Sequence, residues 1–134
     1  MSSPNVNSLD AFGFEPRRVD KPWGWELIWA DADGYAGKIL FVRAGHALSL
    51  QFHRVKDESW YVQSGRAAIE VGPAGNPVLN EEVLGPGAAL RFPPGTVHRL
   101  TAIEDTTILE VSTPHLDDVV RLEDRYGREG TSQP

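Results

Sequence analysis

The sequence has no cysteine among its 134 residues, which excludes disulfides and any thiolate-bound metal. Basic residues are in deficit, 13 Lys and Arg against 19 Asp and Glu, for a net charge of −6, and no basic run occurs. Nucleic acid and anionic membrane are therefore poor partners. No apolar stretch is long enough for a signal peptide or a transmembrane helix, so the expectation is a soluble cytoplasmic domain. The length suits one domain with a proper core. Helical periodicity is scarce too.

What is present is punctuation. Thirteen glycines and ten prolines separate short apolar runs. The expected strands are Gly24–Ala30, Lys38–Arg43, Ser49–His53, Ser59–Gln63, Ala67–Val71, Glu82–Leu84, Ala88–Phe92, His98–Ala102 and Thr107–Ser112. Turn signals fall between most of them, at Asp33-Gly34, Ala44-Gly45, Ser64-Gly65, 73–77, Gly85-Pro-Gly87 and Pro93-Pro-Gly95. Many short strands without helical interludes predict an all-β sandwich or closed barrel. Residues 1–16 are polar and broken by Pro and Gly, and read as a loose arm before a single domain over 17–134. One helix is expected, His115–Tyr126, with Leu116, Val119, Val120 and Leu122 on one side and acidic residues in its first turn. Trp23, Trp25, Trp29, Trp60, Phe41, Phe52 and Phe92 are expected to build the core and a subunit seam.

Chemistry enters between Gly45 and His98. The chain reads Gly45-x5-Gln51-x-His53-x4-Glu58-x6-Gly65, then Gly87-x5-Pro93-x-Gly95-x2-His98. Strand side chains alternate, so Gln51 and His53 share one face. Two imidazoles, a carboxylate and an amide oxygen on one wall suit zinc, manganese, cobalt, iron or nickel, and four protein ligands leave one or two positions open for catalysis if the ion is five- or six-coordinate. Each has a structural alternative: His53 as a core histidine, Glu58 as a solvated turn residue beside the surface-like Lys56 and Asp57, Gln51 as a buried hydrogen-bonding amide. His46 and His115 show no partner spacing and are expected at the surface.

These two segments resemble the paired cupin motifs, with Gln51 where most cupins have their first histidine. Four stretches resemble, more narrowly, the isomerase domain of type II phosphomannose isomerases: Lys21-Pro-Trp-Gly24, Leu48-Ser-Leu-Gln51-x-His53, Pro94-Gly-Thr-Val-His-Arg-Leu100 and Val120-Arg-Leu-Glu-Asp-Arg-Tyr-Gly-Arg128. In that family the domain commonly follows a mannose-1-phosphate nucleotidyltransferase, so the expectation is the isomerase half standing alone. Three positions depart from the family. Val55 stands where it has a third histidine, Ala47 where an arginine is common, and Ala102 where an asparagine often ends the second motif.

The resemblance implies a cupin jelly-roll (double-stranded β-helix) with a short C-terminal helix and one divalent metal ion, zinc first, held by Gln51, His53, Glu58 and His98. It implies conversion of mannose 6-phosphate to fructose 6-phosphate through an enediol. Lys38 and Glu110 are the candidate proton carriers: Lys38 as a desolvated lysine inside the barrel, Glu110 as the one charge in the apolar run Ile108–Ser112. Trp60 shares parity with Glu58 and offers an indole face to a sugar. Arg99, Arg121 and Arg128 are the phosphate candidates, with Arg125 beside them, although Arg99 is out of parity with His98. A homodimer is expected by analogy with similar cupins. Two other readings stay open, a sugar-binding sensor that has lost its chemistry, favoured by Ala47 and Val55, and an iron(II) dioxygenase.

Overall fold

Alternation of apolar and polar side chains, ended by glycine turns, governs most of the backbone. In the computed structural model, residues 9–73, 75 and 78–130 are described. Eleven strands are found there: β1 (Arg17–Lys21), β2 (Gly24–Asp31), β3 (Ala36–Val42), β4 (Leu50–Phe52), β5 (Glu58–Ser64), β6 (Ala67–Pro73), β7 (Asn80–Leu84), β8 (Ala89–Phe92), β9 (Thr96–Ala102), β10 (Thr106–Ser112) and β11 (Val120–Glu123). They form two antiparallel sheets, β1-β2-β3-β10-β5-β8 and β11-β4-β9-β6-β7. The interleaved order, with β10 between β3 and β5 and β9 between β4 and β6, is that of a cupin jelly-roll.

The core lies between the sheets. Leu40, Trp60, Val62 and Ile108 from the first sheet meet Ile69 and Leu100 from the second. On β10 the alternation is complete: Thr106, Ile108, Glu110 and Ser112 are buried, while Leu109 and Val111 face outward. Gly65 makes one close approach possible. Its φ is +89°, and a Cβ there would lie 2.2 Å from the carbonyl oxygen of Asp105. Trp23, Trp60 and Phe92 are core residues, Trp25 stacks on Phe41 with centroids 5.4 Å apart, and Trp29 is exposed.

Two expectations change. The helix over His115–Tyr126 is absent; residues Val120–Glu123 are strand β11. The reason is tertiary: β4 is short, and β11 covers its edge through Val120↔Phe52 and Arg121↔Gln51. Burial there follows the strand, since Arg121 is inside while Leu122 is 47% exposed. Strand β1 was not expected at all, because Arg-Arg-Val-Asp-Lys offers one apolar residue and forms by full-length pairing with β2. Of the arm over 1–16, residues 1–8 lie outside the described residues, and Leu9–Phe12 forms an exposed 3-10 turn. Positions 74, 76 and 77 of the expected turn over 73–77 also lie outside them.

Candidate metal centre

Three strands position the candidate ligands. His53 follows β4, Glu58 opens β5 and His98 lies in β9, where its Cα is opposite Gln51. The Pro93-Pro94-Gly95 turn leads into β9, and the Gly95 N–H donates to the His53 carbonyl at 2.7 Å, holding the two histidine strands together. The donor atoms of His53, Glu58 and His98 all lie within 4.8 Å of one another, and all three residues are buried. His53 Nε2 is 3.4 Å and His98 Nε2 is 2.9 Å from Glu58 Oε1. The His98 ring is sandwiched by aromatics, stacked on Phe92 at 4.2 Å with Trp60 edge-on at 5.5 Å.

Hydrogen bonding fixes what these imidazoles present. His98 Nδ1 donates to the Thr96 carbonyl at 2.9 Å, and His53 Nδ1 donates to the Asp118 carbonyl. A neutral imidazole that donates from Nδ1 carries its lone pair on Nε2, the arrangement of a metal-ligating histidine. Both Nε2 atoms are buried without a hydrogen-bond partner of good geometry, and the Glu58 oxygens they face meet only the Lys56 ammonium besides. Lone pairs turned on a carboxylate, away from water, are costly unless a cation lies among them. The donor set therefore fits a divalent metal. Gln51 lines the same cavity with its Oε1 accepting from Ser49 Oγ at 2.7 Å, which leaves that oxygen a second lone pair.

Lys56 overturns an expectation. It is not a surface residue but 4% exposed, with Nζ 2.8 Å from Glu58 Oε2 and 3.2 Å from Glu110 Oε2. Glu110 also accepts from Trp60 Nε1 at 3.0 Å. Burial and the nearby Glu58 push the Glu110 carboxyl up, against the pull of Lys56 and Lys38. Burial works against the Glu58 charge as well, but hydrogen bonds from His53 and His98 whenever their Nε2 atoms carry a proton, together with the Lys56 ammonium, outweigh it and hold that carboxyl well below its ordinary range. For Lys56, the two carboxylates outweigh burial and raise the ammonium above its usual value.

The same cavity, about 210 Å³, has a cationic end. Lys38 and Lys21 share one carboxylate, Glu26, at 3.3 and 3.7 Å. Burial, with Lys38, Arg128 and Arg121 adding to it, lowers the Lys21 ammonium to about 8 despite Glu26. Arg121 and Arg128 line this end too, and Arg128 is gripped by Asp124 at 3.0 Å. Arg99 is not part of it. Strand parity turns it away from His98, and it pairs with Glu70 at 3.0 Å and Glu123 at 3.3 Å. Lys38, Glu110 and Trp60 all line the cavity. His46, expected at the surface, is half-buried with Nδ1 2.7 Å from the Tyr126 hydroxyl.

Sequence reading missed Lys56, Lys21 and Glu26. A local signal was present at Lys21, which opens the Lys21-Pro-Trp-Gly24 stretch shared with the resembled family. The departures from that family sit off the cavity wall. Val55 is 56% exposed, Ala47 is packed in a bridge to Thr101, and Ala102 pairs with Ala67 in the core.

Residues 14–124 match the family described as Mannose-6-phosphate isomerase C-terminal. The chain is 34% identical over 120 residues to the mannose-1-phosphate guanylyltransferase ManC of Salmonella typhimurium, covering 84% of the chain and 23% of that protein. It is 32% identical to the alginate biosynthesis protein AlgA of Pseudomonas aeruginosa, covering 96% and 27%. The chain thus spans about a quarter of these relatives. Among solved structures, the capsular polysaccharide assembling protein CapF of Staphylococcus aureus superposes with a TM-score of 0.69 at 16% identity, over 91% of this chain and 40% of that one. A variant of the B. subtilis oxalate decarboxylase gives 0.70 at 18%, over 81% and 30%. At such identities the likeness concerns the fold.

Proposed function

The chain belongs to the mannose-6-phosphate isomerase C-terminal family, and from that membership we propose that it isomerises a sugar phosphate, mannose 6-phosphate to fructose 6-phosphate, with a divalent metal bound by Gln51, His53, Glu58 and His98. The observation that carries the metal is the pair of buried Nε2 lone pairs turned on Glu58. Zinc is the first candidate, followed by manganese, cobalt, iron and nickel. When bound, the ion supplies Lewis-acid stabilisation to charge developing on the substrate oxygens.

The chain's own groups do the rest. A proton leaves C2 and arrives at C1 while a hydroxyl proton passes from O2 to O1, so the reaction needs a carrier that both takes and gives protons. Lys38 and Glu110 line the cavity from paired positions of β3 and β10, and each is held by a partner, Glu26 and Lys56. Trp60, fixed through its Nε1, walls the sugar subsite beside His98. Arg121 and Arg128, with Lys21, supply the positive end toward which the phosphate is drawn. A homodimer is also part of this reading, supported by Tyr61, Leu109 and Val111, which stand exposed side by side on the outer face of β5 and β10.

Elemental analysis of the purified chain, with a coupled assay on mannose 6-phosphate, tests the proposal. Stoichiometric metal and turnover are expected, and both should vanish together in His53→Ala and His98→Ala. Retained stoichiometric metal in both variants would sink the ligand assignment, and metal without turnover would sink the isomerase.

A further inference from the structure

Four consecutive residues donate hydrogen bonds to a single residue far downstream. The Asp118 carboxylate accepts the backbone N–H groups of Arg54 at 3.2 Å, Val55 at 2.7 Å and Lys56 at 2.8 Å. Its backbone carbonyl accepts His53 Nδ1. Residues 54–56 are the link between the ligands His53 and Glu58, and the link has little else to hold it: the side chains of Arg54 and Val55 are exposed. Lys56 alone turns inward, and where its ammonium goes depends on where its backbone sits.

We propose that Asp118 is a positioning residue for the metal centre, setting the direction of the His53 ring and the path of the chain on to Lys56 and Glu58. This rests on the metal-site reading above. The chemistry of the carboxylate is specific to the task. Its two oxygens serve three donors, whereas an amide would turn its NH2 group against them and a methyl group would leave all three to water. The carbonyl contact to His53 belongs to the backbone, so side-chain substitutions remove the carboxylate without removing that acceptor. A second clasp lies beside it, where the Asp57 N–H donates to Thr113 Oγ1 at 3.1 Å and the Thr113 N–H to the Asp57 carbonyl at 3.0 Å. That clasp joins the same two segments through Asp57, beside Glu58, without contacting the 54–56 link or the His53 ring, and serves as the structural control.

The experiment is a Co²⁺ titration of the full chain followed by visible absorption, with thermal unfolding of each metal-free form beside it. Asp118→Ala is expected to weaken Co²⁺ binding by about 10–100-fold, the scale on which groups behind metal ligands act, and to alter the cobalt spectrum. Asp118→Asn should fall between it and the parent, and Thr113→Val should leave affinity and spectrum as they were. Parental affinity and spectrum in Asp118→Ala overturn the proposal, as does an equal loss in Thr113→Val. If Asp118→Ala fails to fold, Asp118→Asn decides, and parental binding there overturns the inference. A parent chain that takes up no Co²⁺ sinks the metal reading itself, whereas tight parental binding with no effect at Asp118 sinks only the positioning role.

Discussion

Replacing Lys56 with methionine removes one charge from the centre of the pocket and leaves most of the side-chain volume. Its ammonium lies 2.8 Å from Glu58 and 3.2 Å from Glu110, and none of the three side chains is more than 5% exposed. Without it, two buried carboxylates share a cavity wall with no cation between them. Removing one partner of a buried ion pair costs about 3–5 kcal/mol. For a chain of this length each kcal/mol moves Tm by roughly 3–4 °C, so the metal-free variant should melt about 10–20 °C lower. Glu110 is the group that yields, because burial already raises its pKa. Adding Glu110→Gln should therefore restore more than half of the loss, and an amide oxygen can still accept from Trp60 Nε1. A divalent ion at 100 times its Kd should add about 2.7 kcal/mol to any variant that retains the site. The assay is thermal and urea unfolding by circular dichroism, with chelator and with Zn²⁺. A loss below about 1 kcal/mol, or a double variant no better than the single, would refute the bridging role of Lys56.

Lys38→Met should keep its metal and slow isomerisation by about 100-fold or more, the usual scale of acid–base catalysis; an unchanged kcat would remove Lys38 from the mechanism. Lys21 has a folded-state pKa near 8 against 10.5 for an ordinary lysine. Between these values the unfolded chain binds the extra proton, so this group makes stability rise with pH from about 8 to about 10.5 and adds a constant penalty below. Lys21→Met should flatten that part of the profile, and an unaltered slope would show that Lys21 does not titrate there. Deleting Leu116–Pro134 removes β11, Asp118 and Arg121, and should cost both folding stability and Co²⁺ binding; a truncated chain that equals the parent in both would show this segment to be dispensable.

Much of the barrel was legible because its turns carry their own chemistry. Gly65 and Gly95 mark bends that need positive φ, and runs such as Thr107–Ser112 alternate cleanly. What escaped depends on partners distant in sequence. Nothing within Arg17–Lys21 or Val120–Glu123 announces a strand; each is one because a neighbouring edge needs pairing. Leu116, Val119, Val120 and Leu122 have helical spacing, and tertiary pairing overrode it. The proposed metal ligands His53, Glu58 and His98 could be picked out because they fall at motif spacing, and the structure brings their donor atoms within 4.8 Å of one another. Lys56 could not be picked out, since beside Asp57 it resembles a solvated pair, and one of the carboxylates that bury it lies 54 positions away.

The threading of the sheets has a kinetic consequence. Residues 36–42 pair with 106–112, and residues 120–123 return to 50–52, so the walls that bear His53, Glu58 and His98 meet only after the longest loops have closed. Such topologies fold slowly, because loop entropy is spent before the contacts repay it. In the proposed metal site, an ion held from three separate strands would find its ligands together only once the barrel has formed. Its contribution then falls on the unfolding limb of the chevron: bound metal would slow the opening of this barrel and leave the rate of its assembly almost untouched.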